Sequence, residues 1–159
     1  MSEIVAQTEE TLNTVLDNLS TAVVLLNDDL CIEFINPAGE NLLQISYQRA
    51  YQQELTHILF VNDDFSYRLK HCLQTEHPFS EHEVTIKTAY TDKLTINYTA
   101  TPLSQTDNKH YLLLEINHLD RHLRIAKEEK LLNEQNATKN LIRGMAHEIK
   151  NPLGGLRGA

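Results

Sequence analysis

The residues of this chain best placed to do chemistry stand together near its C-terminus: His147, Glu148 and Asn151, with Pro152 following at once. An imidazole beside a carboxylate can accept and pass on a group at a ring nitrogen, with the carboxylate handling the proton. The spacing predicts how these side chains are presented. Ile142, Ala146, Ile149, Leu153 and Leu156 recur at steps of three and four, the pattern of a helix with one apolar face. At ~100° per residue, His147 sits about 140° from the middle of that face, turned away from whatever the helix packs on. Asn151 follows one turn later on the side of His147. A His-Glu pair on a helix also opens a zinc-hydrolase pattern. That pattern needs a second His four positions after the first, where this chain has Asn151. The plain alternative is a surface His on an amphipathic helix, but its neighbours argue against it. Pro152 inside a helical pattern costs roughly 3 kcal/mol, because it removes a hydrogen bond to residue 148 and crowds that turn. Gly154 and Gly155 weaken the helix further. The segment reads as one shaped for close approach by another domain, with His147 as the group that is acted on.

The elements that must position this segment can be read along the chain. Residues 3–18 predict a helix in which Val5, Leu12, Val15, Leu16 and Leu19 gather towards one side. Residues 22–26 and 31–35 read as two strands joined through the turn cluster Asn27-Asp28-Asp29, a hairpin. Asn36 then suits a helix N-cap, Pro37 the first helical position, and Glu40 an acid able to reach back to the cap. Residues 49–61 predict short helices. A longer helix spans about 63–74, with Phe65, Leu69, Cys72 and Leu73 on its apolar side and Pro78 marking the exit. Three strands are predicted at 84–90, 94–100 and 111–116; in the second, Leu94, Ile96, Tyr98 and Ala100 share a face. From about His118 the chain turns helical and highly charged. Its best heptad-like seam (Leu119, Leu123, Ala126, Lys130, Asn133, Ala137, Asn140) is half polar, which suits either a weak, shiftable coiled coil or a solvated connector.

Composition bounds the remaining possibilities. The 159 residues suffice for one globular domain and an extension, and 41% hydrophobic content is adequate for a core. No stretch approaches the ~20 apolar residues of a membrane span, and the N-terminus lacks the basic region of a signal peptide, so a cytoplasmic chain is expected. Cys31 and Cys72 have no metal-binding spacing and read as buried free thiols of a reducing compartment. The net charge of -8 argues against nucleic acid as a direct partner. It is unevenly spread: residues 1–118 hold 6 basic and 17 acidic residues, whereas residues 119–159 hold 8 basic and 5 acidic. The basic tail suits either an acidic protein partner or a solvated helix.

Together these readings give an α+β chain: an antiparallel sheet with flanking helices, then a long helix. The order of elements and the run Asn36-Pro37-Ala38-Gly39-Glu40-Asn41-Leu42-Leu43 resemble a PAS domain. The run from Arg143 through His147-Glu148-Ile149-Lys150-Asn151-Pro152 to Ala159 resembles the H-box of nitrogen-regulation sensor histidine kinases of the NtrB type. The organisation implied is an N-terminal helix at 1–20, a PAS domain at 21–117, a signalling linker helix at 118–140, and a truncated dimerisation and phosphoacceptor segment at 141–159. The resemblance implies that His147 is the phosphoacceptor, that Glu148 orients or deprotonates it, and that Asn151 positions water for dephosphorylating the partner. It implies a homodimer, in which two copies of the helix form half of a four-helix bundle. It also implies transfer to an NtrC-type response regulator, control by the P-II signal protein, and no membrane contact. ATP and Mg would be held by a domain beyond Ala159, so this chain alone is expected to bind neither and to be inactive as a kinase. Many PAS domains end in Asp-Ile-Thr, where this chain has Glu115-Ile116-Asn117. Two other readings remain open: a ligand sensor, including haem held by His71, and a dimerisation module without phosphotransfer.

Overall fold

The computed structural model describes residues 1–119 and 121–157, with side chains described to residue 148 apart from 121, 122 and 124. The chain divides after Leu119 into two compact units. The first opens with α1 (Ser2–Asn18), which runs into β1 (Ala22–Leu26) and β2 (Ile32–Ile35). The β1–β2 turn is organised by Asn27, whose side-chain Oδ1 accepts from the amides of Asp29 at 3.0 Å and Cys31 at 2.9 Å. That Asx geometry brings Leu30, at φ 61°, into the core with no exposure.

Four helices follow: α2 (Pro37–Leu43), α3 (Tyr47–Ala50), α4 (Leu55–Ile58) and, after the two-residue β3 (Leu59–Phe60), α5 (Asp63–Thr75). The long strands β4 (Phe79–Thr88), β5 (Leu94–Ser104) and β6 (His110–His118) close the sheet, whose order is β2-β1-β6-β5-β4-β3 with every pairing antiparallel. One face of the sheet carries Leu26, Ile86, Ile96, Leu112, Leu114 and Ile116. It packs on Leu43, Leu55 and Leu69 from the helices, all essentially without exposure. Each such side chain contributes about 1.5–3 kcal/mol over its exposed state, so this one-sided layer holds the unit together.

Most predicted elements are present; β5 runs on to Ser104 past its predicted end at 100, and three others differ. β4 begins at Phe79 rather than Val84: its first half, Ser80-Glu81-His82-Glu83, lacks strand alternation and is held instead by pairing with β5 from Phe79↔Ala100 onward. A bulge between Glu81 and Val84, with Glu83 at φ 56°, breaks the side-chain period there. β3 pairs only at Leu59↔Thr88 and Phe60↔Lys87, too short to leave a sequence pattern. β6 extends to His118, so the terminal helix starts at Arg121 instead of His118; Asp120 lies outside the described residues. The second unit is that helix, α6 (Arg121–Arg157), 37 residues and roughly 55 Å long at 1.5 Å per residue. Among the described residues no helix is long and apolar enough to cross a membrane.

Candidate functional site

His147 and Glu148 lie on α6, and both are exposed. Of the stripe that predicted the helix, Ile142 (61%) and Ala146 are exposed, and so are their apolar neighbours Leu141 (67%) and Met145 (58%). Asn151 follows one turn after His147 on the same helix, with its side chain outside the described ones, as are those of Ile149, Leu153 and Leu156 from the predicted stripe. The helix runs through Pro152 to Arg157. Adjacent residues of a helix point about 100° apart, and among the described residues no hydrogen bond or ion pair joins His147 to Glu148. The arrangement therefore offers an imidazole to solvent, with a carboxylate one position round the helix.

The hydrogen-bonding centre of the first unit is Asn36. It caps α2 as its sequence predicts, its Oδ1 accepting from the Gly39 amide at 2.9 Å. The same oxygen accepts from the Val23 amide in β1 at 2.8 Å. The side-chain Nδ2 donates to the Leu16 carbonyl of α1 at 3.2 Å and to the Thr21 carbonyl at 3.0 Å. Its backbone amide donates to the Val23 carbonyl, and its carbonyl accepts from the Glu40 amide. Every polar group of a residue with no solvent exposure is thereby satisfied. Thr21 in turn donates its hydroxyl to Asn117 Oδ1 at 3.1 Å, and the Leu119 amide donates to the Thr95 carbonyl. Asn117, the last residue of the Glu115-Ile116-Asn117 run, thus ties the end of β6 to the segment between α1 and β1. Sequence reasoning found the cap but not this joint, because its other partners are 13 to 20 residues away and leave no local pattern.

On the helix side of the sheet, Tyr98 is sandwiched between Phe65 and Phe79, with ring centroids at 5.3 and 5.8 Å. Its hydroxyl donates to Glu81 Oε2 at 2.8 Å. Burial pushes the Tyr98 phenol up to about 12, against a smaller pull downward from Arg68. Arg68 bridges Asp64 on its own helix and Glu81 on β4. His71 is exposed on α5, beside the Tyr67 ring at 6.1 Å. The inward positions of that helix are Phe65, Leu69 and Cys72, so a group held inside the fold would meet Cys72 rather than His71. Cys72 is buried but Cys31 is only partly so, a correction to the expectation of two buried thiols. Burial raises both thiols, and for Cys31 the carboxylates of Asp29, Glu54 and Glu33 raise it further. Neither is an activated nucleophile.

Residues 10–119 match the family described as the PAS fold. The chain is similar to the sensory histidine kinase/phosphatase NtrB of Vibrio alginolyticus, 35% identical over 147 residues, covering 92% of this chain and 41% of that protein. The counterpart from Klebsiella oxytoca is 33% identical over 145 residues, covering 91% and 40%. The chain therefore spans about two fifths of the length of these relatives. Among solved structures, the PAS domain of nitrogen regulation protein NR(II) from Vibrio parahaemolyticus superposes with a TM-score of 0.58 at 25% identity, over 67% of this chain and 96% of that one. The PAS domain of an HTR-like protein from Haloarcula marismortui shares the fold at 8% identity, with a TM-score of 0.64. Six antiparallel strands curled over four short helices, the capping Asn-Pro joint and a family match from residue 10 to residue 119 agree, and the chain belongs to the PAS family.

Proposed function

We propose that this chain is the sensing and phosphoacceptor part of a cytoplasmic two-component sensor histidine kinase of the NtrB type, which controls nitrogen assimilation. The observation that carries the reading is the exposed His147-Glu148 pair on α6, the helix that follows directly on the last PAS strand. A ring nitrogen of His147 attacks the γ-phosphorus of ATP; the P–N bond forms, the bond to the leaving ADP oxygen breaks, and Glu148 takes the ring proton. The phosphoryl group then passes to an Asp carboxylate of an NtrC-type response regulator. Asn151, one turn along, positions the water that later hydrolyses that acyl phosphate. ATP and Mg are bound by a separate domain of the longer protein. The uncovered Leu141, Ile142 and Met145 support a homodimer in which two α6 helices form half of a four-helix bundle. P-II protein switches the activity from outside this segment, and neither nucleic acid nor membrane is contacted.

The test is phosphoryl transfer in trans. A version of the chain carrying the second bundle helix is incubated with a histidine-kinase ATP-binding domain and γ-labelled ATP, beside its His147→Gln twin. The expected result is acid-labile, base-stable label on the parent and none on the twin. The twin's stability should lie within about 0.5 kcal/mol of the parent's, as suits an exposed position. No label on either folded dimer refutes phosphotransfer and leaves a sensing or dimerisation module.

A further inference from the structure

The first unit carries a cleft that the proposed phosphotransfer does not use. It opens between the C-terminal half of α5 and the connection into β4, with a volume of about 520 Å³, within the range of sites that take a small ligand. Cys72 and Phe79 lie deepest, and Tyr67, His71 and His77 stand around the rim. The lining is aromatic and imidazole, and its cation is already committed: Arg68 is paired with both Asp64 and Glu81. Anions therefore gain little there. The polar handle is His77. Its Nδ1 lies 2.5 Å from the Thr75 carbonyl oxygen. A carbonyl only accepts, so Nδ1 carries the proton, and a neutral ring then presents Nε2 as an acceptor. The connection itself is held in place, since the Cys72 thiol donates to the His77 carbonyl at 3.0 Å. Tyr67 and His71 lie 30° from parallel, a tilted pair of faces against which a flat ring can lie.

We infer that this cleft binds an uncharged planar aromatic molecule bearing one hydrogen-bond donor, of the indole or phenol class, with the donor directed at His77 Nε2. Such a ligand bridges α5 and the start of β4, and so acts on the sheet from outside the core.

The test is an amide-resonance titration of the full 159-residue chain with indole, with 1-methylindole as the probe lacking the donor. Indole is expected to give saturable shifts centred on residues 67–79. Affinity should be about tenfold weaker for 1-methylindole, the effect of one unmade neutral hydrogen bond. Tyr67→Ala, at an exposed position, should weaken indole binding several-fold without disturbing the resonances of the core strands. Absence of saturable shifts overturns the inference. So do shifts centred on the core residues Ile96 and Leu112, which would place the ligand inside the fold. Equal affinity for the two probes overturns the assignment of His77 as the recognising group, and unchanged binding by Tyr67→Ala overturns the location.

Discussion

Replacing Asn36 by Ala removes four side-chain hydrogen bonds at one stroke, and their losses are unequal. The N-cap bond to Gly39 contributes about 1 kcal/mol. The Val23 amide, in a residue only 9% exposed, is left without its acceptor, at a cost of about 1–3 kcal/mol. The carbonyls of Leu16 and Thr21 sit in part-buried settings where water can replace Nδ2, and add little. The sum is roughly 2–4 kcal/mol. For a unit of 119 residues, where 1 kcal/mol corresponds to about 4 °C, the midpoint should fall by roughly 8–16 °C. Asn36→Ser keeps a short oxygen at the cap and should recover about 1 kcal/mol, but it cannot span from β1 to α1. In both variants the amides at the C-terminal end of α1 should exchange faster, since none of that helix is buried and Asn36 is one of its few ties. Urea unfolding followed by circular dichroism gives the energies, and hydrogen exchange gives the location. A loss below about 1 kcal/mol for Asn36→Ala, with α1 exchange unchanged, would refute the view of Asn36 as the joint.

Two further substitutions probe the same layer. Gly39→Ala places a Cβ 2.6 Å from Ile35 Cγ1, so a core side chain must move; a loss of about 1–3 kcal/mol is expected in urea unfolding, and a neutral result would show that Ile35 repacks freely. Tyr98 is held neutral by burial, with its pKa at about 12 instead of 10. The folded pKa is the higher one, so the stability it contributes is intact below pH 10 and is lost as pH rises to about 12. Tyr98→Phe should lack that share of the alkaline loss and, in ultraviolet titration, remove a phenol that ionises at about pH 12.

What was legible in the sequence is what local chemistry alone decides. Asn36-Pro37 caps and starts a helix through bonds to the next few residues, and Phe65, Leu69 and Cys72 repeat at helical spacing because one side of α5 is buried. What was not legible depends on partners far along the chain. The polar first half of β4 is a strand only because β5 pairs with it, and β3 exists only through Thr88 and Lys87. The amphipathic pattern of α1 was read correctly as a helix, yet Val5, Leu12 and Val15 stay more than half exposed, since periodicity records a face and not what covers it.

The same distinction separates the two candidate sites. The expected presentation of His147 depends only on its angle round one helix, and the residue lies on α6 and is exposed, as are its apolar neighbours Leu141 and Ile142. The contact at the end of the PAS unit is tertiary: Thr21 meets Asn117 across 96 residues of sequence. Here the Asn117 carboxamide meets a threonine hydroxyl contributed by the other end of the domain. The bond between them is neutral, exposed and single, worth about 1 kcal/mol or less. A contact of that size is too weak to hold the fold, but it lies on the chain that leads from α1 to the last strand before α6. The firmer tie is Asn36, whose Nδ2 holds the carbonyls of Leu16 in α1 and of Thr21, so loss of the Thr21–Asn117 bond alone should leave α1 in place and the core beneath it packed.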